Sequence, residues 1–183
     1  MDQTYYKITN KTEYHNGYQY VDGLNVLDKP FEPVGSCVVG GFYFTTVEHI
    51  FKFLDYGCYL REIILPKNCQ WVQDPDGDKF RADKIILGKR YDLTDPLIFQ
   101  LLVERGADIH EQHDHVLEWA SRNGHLDIIK YLVESGADIS ECANFALYWA
   151  STNGHLPVVK YLIETGVNIP PKLQVIILKL FNI

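Results

Sequence analysis

Trp119–Ile139 reads W-A-S-R-N-G-H-L-D-I-I-K-Y-L-V-E-S-G-A-D-I, and Trp149–Ile169 reads W-A-S-T-N-G-H-L-P-V-V-K-Y-L-I-E-T-G-V-N-I. Extended in both directions, Asp114–Ser140 laid on Asn144–Pro170 matches at 14 of 27 positions. Gly106, Gly136 and Gly166 stand 30 residues apart, and they open the tetrapeptides GADI, GADI and GVNI. Self-similarity at a fixed period of this size marks a stacked repeat array. One such unit cannot bury its own apolar face, so units stack, and the stack presents a surface rather than an enclosed pocket. The second half of the chain therefore reads as a binding scaffold.

Within a unit, Val116–Asn123 is expected to form a short helix, closed by Gly124 in the left-handed conformation that glycine adopts freely. His125 and Leu126 turn the chain into a second helix, Asp127–Ser135. Its apolar residues Ile128, Ile129, Leu132 and Val133 follow the spacing of a buried stripe. Gly136 ends it. The second copy repeats the plan with Phe145–Asn153, Gly154 and Pro157–Thr165. Pro157 falls in the first turn, where its missing N–H costs nothing.

The run G-H-L-D-I-I-K-Y-L-V-E-S-G-A-D-I at Gly124–Ile139 resembles the second helix and closing loop of the ankyrin repeat. Asp92–Gln112 looks like a degenerate unit that holds only the second helix, with L-L-V-E-R-G-A-D-I intact. The full units are 113–142 and 143–172, and 173–183 is similar to the first half of another. Where the family has T-P-L-H, this chain has H-V-L-E at His115–Glu118 and F-A-L-Y at Phe145–Tyr148. The hydrogen bonds usually made by that Thr and His cannot form in the same way. The period is also shorter than the usual ankyrin period of about 33. The deficit falls where ankyrin proteins build a protruding β-hairpin finger, so a tight loop is expected there, with recognition on the helical face. Shortened units of this kind resemble the ankyrin families of giant DNA viruses, which often join a unique N-terminal segment to the repeats. The resemblance implies a protein partner, a host protein and host cytoplasm if the chain is viral. The fold class expected is an α+β N-terminal domain over 1–91 followed by an all-α ankyrin-type helical array over 92–183. No F-box is evident in the first 90 residues.

On the array, Glu118 and Arg122 are expected to stack with Tyr148 and Thr152 as the centre of the protein-binding face. Each pair spans one helical turn, and the pairs lie one repeat apart. Leu117, Ala120 and Ser121 should point inward, and Trp119 and Trp149 should be largely buried between repeats. The end segment Leu173–Phe181 is apolar nearly all round, whereas terminal repeats usually carry a polar outer face. A weak homodimer through this helix, or a partner docked on it, follows. At nine residues it is far too short to span a bilayer, which takes about 20.

Composition narrows the classes further. The net charge is −7, with 11 basic against 13 acidic residues through Asp92 and 6 against 11 beyond it. Nucleic-acid binding needs clustered Lys and Arg, so no nucleic-acid partner is expected. Cys37, Cys58, Cys69 and Cys142 show no C-x-x-C pair, and no apolar leader suggests a secretory route. A reducing, cytoplasmic setting is expected, with no disulfides and the thiols buried or incidental. Cys37, Cys58 and Cys69 with His15 or His49 lack the tight two-ligand turn of structural zinc sites. Neither a metal nor a cofactor is expected.

The first 92 residues hold 9 of the 12 tyrosines and 6 of the 9 phenylalanines. Phe42–Phe44 suggests a strand. Thr45-x-x-Glu48 matches a capping box, which predicts a helix over Thr46–Tyr56 ending at Gly57. Tyr59–Leu65, Trp71-Val72 and Lys84–Leu87 read as strands, and Asp74–Asp78 as a solvated turn. The D-x-D-G-D run there has no later Glu in the place a calcium loop needs. His15-Asn16-Gly17, Gly23-Leu24, then Gly40–Phe44, a helix and an Ile-rich strand resemble in order the ADP-ribosyltransferase fold. That resemblance would give His15 and Tyr43 the nicotinamide and ribose of NAD, as an alternative to the adaptor reading. The family's catalytic glutamate has no match, and no catalytic residue is assigned. No nucleophile-elbow, P-loop, zincin or Rossmann fingerprint occurs.

Overall fold

The computed structural model describes residues 4–182 and divides into two compact units, Met1–Asp108 and Ile109–Ile183. In the first unit, seven strands make one antiparallel sheet. They are β1 (Tyr5–Thr9), β4 (Gly23–Val26), β5 (Phe42–Thr46), β6 (Tyr59–Ile64), β7 (Trp71–Gln73), β8 (Phe80–Ala82) and β9 (Lys84–Asp92), in the order β4-β9-β6-β1-β5-β8-β7. A separate hairpin, β2 (Tyr14–His15) and β3 (Tyr18–Gln19), turns at Asn16-Gly17. Both turn residues have positive φ, 51° and 81°, which suits the twist of flanking strands.

β1 is the central strand, and Tyr6 to Thr9 are buried in succession. On one side of the sheet Tyr20, Phe42, Phe44, Ile63, Phe80, Ala82, Ile85 and Leu87 form a core cluster. Its rings meet both ways that their quadrupoles favour: Tyr5 edge-on to Phe44 at 5.1 Å, and Phe44 stacked on Phe80 at 5.7 Å. After β5 a 3-10 helix, Ile50–Tyr56, buries Ile50, Phe51 and Leu54. The chain leaves it at Gly57, where a Cβ would lie 2.1 Å from the Thr9 carbonyl oxygen. Only glycine permits that approach.

The capping box is not formed. Thr46 pairs with Tyr5 inside the sheet, and the Thr45 hydroxyl donates to the Asp78 carbonyl. Sheet pairing and a buried hydrogen bond thus claim the residues that would have started a helix. The helix begins at Ile50 instead, with no side-chain cap.

Helix α1 (Pro96–Glu104) opens on Asp95, whose carboxylate accepts from the Leu97 N–H at 3.0 Å. By packing it belongs to the first unit, whereas the repeat pattern begins at Asp92. Phe99 stacks on Phe51 at 5.5 Å, and Arg105 donates to the Tyr6 hydroxyl at 2.6 Å.

The second unit is helical throughout: α2 (His115–Asn123), α3 (Leu126–Glu134), α4 (Ile139–Thr152), α5 (Leu156–Glu164) and α6 (Pro171–Leu180). Leu117, Leu132, Leu147 and Leu162 are fully buried between helices. After α3 the Ala137 N–H reaches the Leu132 carbonyl at 2.9 Å and the Gly136 N–H reaches Val133 at 3.1 Å. The same pair of bonds closes α1 and α5, and it satisfies carbonyls a helix end leaves orphaned. No strand forms between Gly106 and Ala120, in keeping with the shortened period. In the second copy the first helix is longer than expected, starting at Ile139. Asp138 caps it by accepting from the Ser140 N–H at 2.8 Å.

Gly124 and Gly154 occupy equivalent places with φ 77°. A Cβ on Gly124 would lie 2.5 Å from His155 Nδ1, whereas one on Gly154 meets nothing within 4 Å. Gly154→Ala is expected to lose about 1–2 kcal/mol from the left-handed backbone alone. Gly124→Ala should lose about 1 kcal/mol more, because His155 is pushed from its bond to the Arg122 carbonyl. Thermal melts of the two variants check this, and equal losses would contradict it.

Candidate functional site

The first helices of the two full units carry the four residues expected on the binding face, two of them exposed. Tyr148 and Thr152 are exposed on α4, and Phe145, one turn before Tyr148, is more open still at 60% against 44%. Tyr148 meets Trp149 edge-on at 5.1 Å, which holds its ring in one orientation. The Thr152 hydroxyl bonds back to the Tyr148 carbonyl at 2.9 Å.

Glu118 and Arg122 are half-buried and partly engaged between the repeats. Trp149 Nε1 donates to the Glu118 carboxylate at 3.1 Å. The Arg122 carbonyl lies 2.8 Å from Asn153 Nδ2 and 2.9 Å from His155 Nε2. The α2 pair thus ties one unit to the next, while the α4 residues face outward. Leu117, Ala120 and Ser121 are buried, as is Trp119, whose ring lies tilted against His125 at 5.2 Å. Trp149 is half-buried. The sequence reading missed Phe145. Its signal was an aromatic residue standing where the family's first helix opens on a polar one.

The first unit holds a cavity of about 600 Å³, and both His15 and Tyr43 line it. The hairpin brings His15, the edge of β5 brings Tyr43, and β1 contributes Lys7. Rings of Tyr18, Phe42, Phe53 and Tyr56 form much of the wall. Among the described residues no Asp or Glu lines it, so none of them fills the place of a catalytic glutamate. The Tyr43 hydroxyl donates to the Val38 carbonyl at 2.9 Å. Burial, then the nearby Lys7 charge, holds His15 below the usual imidazole range.

One rim of the cavity is the 27–41 loop, which an ion cluster ties down. Solvated carboxylates were expected over Asp74–Asp78, yet Asp74 and Asp78 are buried. Asp74 accepts from Ser36 Oγ at 2.7 Å and from Arg81 at 3.1 Å. Lys79 reaches Asp74, Asp76 and Asp78 at 3.6, 3.3 and 3.5 Å, and Lys52 pairs with Asp78. Arg81 Nε in turn donates to the Glu32 carbonyl in the loop at 2.8 Å. The turn itself forms as expected, with the Gly77 N–H on the Asp74 carbonyl at 2.9 Å. A turn sequence shows its backbone conformation, and the partners that bury its carboxylates, Ser36 and Arg81 for Asp74 and Lys52 for Asp78, lie outside that window. Of the four thiols, Cys37 is exposed and Cys142 buried. No helix among the described residues is long and apolar enough to cross a membrane.

Stacked helix pairs closed by one recurring glycine loop are the architecture of an ankyrin array. Residues 91–172 match the family model described as ankyrin repeats in three copies. The chain belongs to the ankyrin-repeat family. It is similar to an ankyrin repeat protein of Acanthamoeba polyphaga mimivirus, 45% identical over 131 residues, which covers 69% of this chain and 64% of the relative. A second ankyrin repeat protein of that virus is 40% identical over 143 residues, covering 70% and 47%. An uncharacterized protein of the same virus is 39% identical over 134 residues, covering 68% and 94%. Aligned stretches of this length exceed everything from Tyr91 to the chain end, so the likeness reaches into the sheet unit. The chain spans about two thirds of the first relative and half of the second.

Proposed function

We propose that the chain is a non-catalytic adaptor that binds a protein partner through the helical face of its ankyrin array, centred on Tyr148 and Thr152 and flanked by Glu118 and Arg122. The observation that carries this reading is the outward exposure of Phe145 and Tyr148 on α4. Large rigid aromatics of this kind act as interface anchors. Because the relatives are proteins of a virus, the partner in this reading is a host protein met in the host cytoplasm. Affinity capture with the whole chain, compared with an Arg122→Glu/Tyr148→Ala variant of unchanged circular dichroism, tests it. A specifically captured protein should bind the variant at least about tenfold more weakly. Unchanged capture would reject this face.

A weak homodimer through α6 is proposed alongside, because Val175 and Leu178 stay exposed while Leu173 and Ile177 are buried. Sedimentation across protein concentrations should show association, and a concentration-independent monomer would oppose it. The alternative of an NAD-binding first unit is supported only by His15 and Tyr43 lining one cavity. The transfer chemistry of that family would lack its carboxylate there.

A further inference from the structure

Lys7 stands in the middle of the central strand of a sheet, a place where lysine is rare because burying an ammonium is costly. It is 9% exposed, and it lines the cavity. Its Nζ donates to the Tyr43 carbonyl at 2.9 Å and lies 5.0 Å from the centroid of the Tyr20 ring. No carboxylate among the described residues is in ion-pair range of it. The charged and titratable groups around it do not supply an anion. Arg61, its register partner on β6, is itself basic and is held by Asp22 and Glu13. Thr9 and Arg61 engage Glu13. His15, from the hairpin, is near enough to feel the Lys7 charge, and Tyr20 and Tyr43 are neutral at pH 7. Lys79 at the wall is already matched by three carboxylates, and Lys29 is exposed at the rim.

A buried positive charge without a counter-ion among the described residues, opening on an aromatic-walled cavity, is a half-built ion pair. The rest of the cavity fixes the shape of what completes it. Tyr18 and Phe42 meet at 4.7 Å, and His15 and Tyr56 at 5.5 Å, so flat apolar surfaces stand on more than one side. The volume lies within the range of small-molecule sites, about 300–1,000 Å³.

We propose that this cavity binds a small planar anion, its carboxylate or phosphate held by Lys7 beside His15 and its ring packed among Tyr18, Phe42 and Tyr56. The site is independent of the repeat face. A ligand of this class supplies the missing countercharge, and the ion cluster at Asp74 keeps the 27–41 loop in place as one rim.

Isothermal titration of the whole chain with matched probes tests the proposal. The probes are 2-naphthoate, 2-naphthyl phosphate, uncharged 2-naphthamide and inorganic phosphate. At least one naphthyl anion should bind tenfold or more tightly than the amide and than phosphate alone, and the tighter of the two identifies the head group. Lys7→Met should lose that discrimination, Lys7→Arg should keep it within a few-fold, and affinity for the preferred anion should fall as pH rises through the Lys7 titration. Equal binding of acid and amide by the wild type, phosphate binding as tightly as its naphthyl ester, or no binding at millimolar concentration would each overturn it. These wild-type comparisons hold whether or not the variants fold.

Discussion

Asp74→Ala is expected to destabilise the sheet unit by about 3–5 kcal/mol, the usual cost of removing one partner from a buried ion pair. The Asp74 carboxylate is buried with Arg81, whose side chain is equally closed to water. Deleting it leaves the guanidinium charge without its partner and removes the bonds from Ser36 and the Cys37 N–H to that carboxylate, so that of the two Ser36 keeps only Asp76. Ser36→Ala removes one of those hydrogen bonds and should cost only about 1 kcal/mol. The double variant Asp74→Ala/Arg81→Met removes both charges and should recover part of the loss, since apolar replacement of a whole pair is often tolerated. Urea midpoints of the three variants decide it. A small loss for Asp74→Ala, or no recovery in the double variant, would mean that the cluster carries little of the fold.

The same cluster sets an acid limit. Burial pushes the Asp74 carboxyl upward, but the hydrogen bonds from Ser36, Asp76 and Cys37 with the Lys79 charge outweigh it and hold the group below the ordinary value. Asp78 is lowered in the same direction: the Lys52 bond and the Lys79 charge outweigh its burial. A carboxylate depressed in the folded state contributes stability that is present above its unfolded pKa of about 3.9 and lost as pH falls through the folded value. The sheet unit should therefore weaken below about pH 4.

The repeat half was legible because each unit writes its own punctuation. Gly136, its flanking apolar stripe and the recurring W-A-S-x-N-G-H-L state helix, stop and period within one short window. What the window hides is inter-unit chemistry. Glu118 looked outward by helical geometry, yet the Trp149 indole of the next repeat claims its carboxylate. In the first half, β6 and β7 were readable from Ile-rich and Trp-Val runs. β1 was not, because Tyr5–Thr9 carries a lysine at its centre and offers no alternation. The hairpin at Asn16-Gly17 was within reach, since that dipeptide is the strongest short-range hairpin signal. Thr45-x-x-Glu48 misled for the opposite reason: a local capping pattern lost to long-range pairing with Tyr5 and Tyr6. His15 and Tyr43 were named together, from a resemblance in order along the chain. Lys7 escaped notice, because the sheet buries it and segments far along the chain, the hairpin and the 27–41 loop among them, form the cavity around it.

Lys7→Met should stabilise the chain at pH 7 by about 1–3 kcal/mol, at 1.36 kcal/mol per pK unit and less about 1 kcal/mol for the lost bond to the Tyr43 carbonyl. Burial lowers the Lys7 ammonium to about 8, against about 10.4 in an unfolded chain. Between those values the unfolded chain holds a proton that the folded chain has released, so stability rises with pH across that window. Below about pH 8 the folded protein carries the full penalty of a buried charge, and above about pH 10.4 it carries none. The advantage of the methionine variant should accordingly be largest at pH 7 and vanish or reverse by pH 10.5. Guanidinium denaturation of both proteins at the two pH values, compared as a difference so that the tyrosines cancel, measures it. An advantage of equal size at both would show that packing rather than charge separates them. A residue whose removal stabilises the fold is kept for something other than the fold. At Lys7 that purpose is holding the anion proposed for the cavity, so the variant that gains stability should be the one that no longer distinguishes 2-naphthoate from its amide.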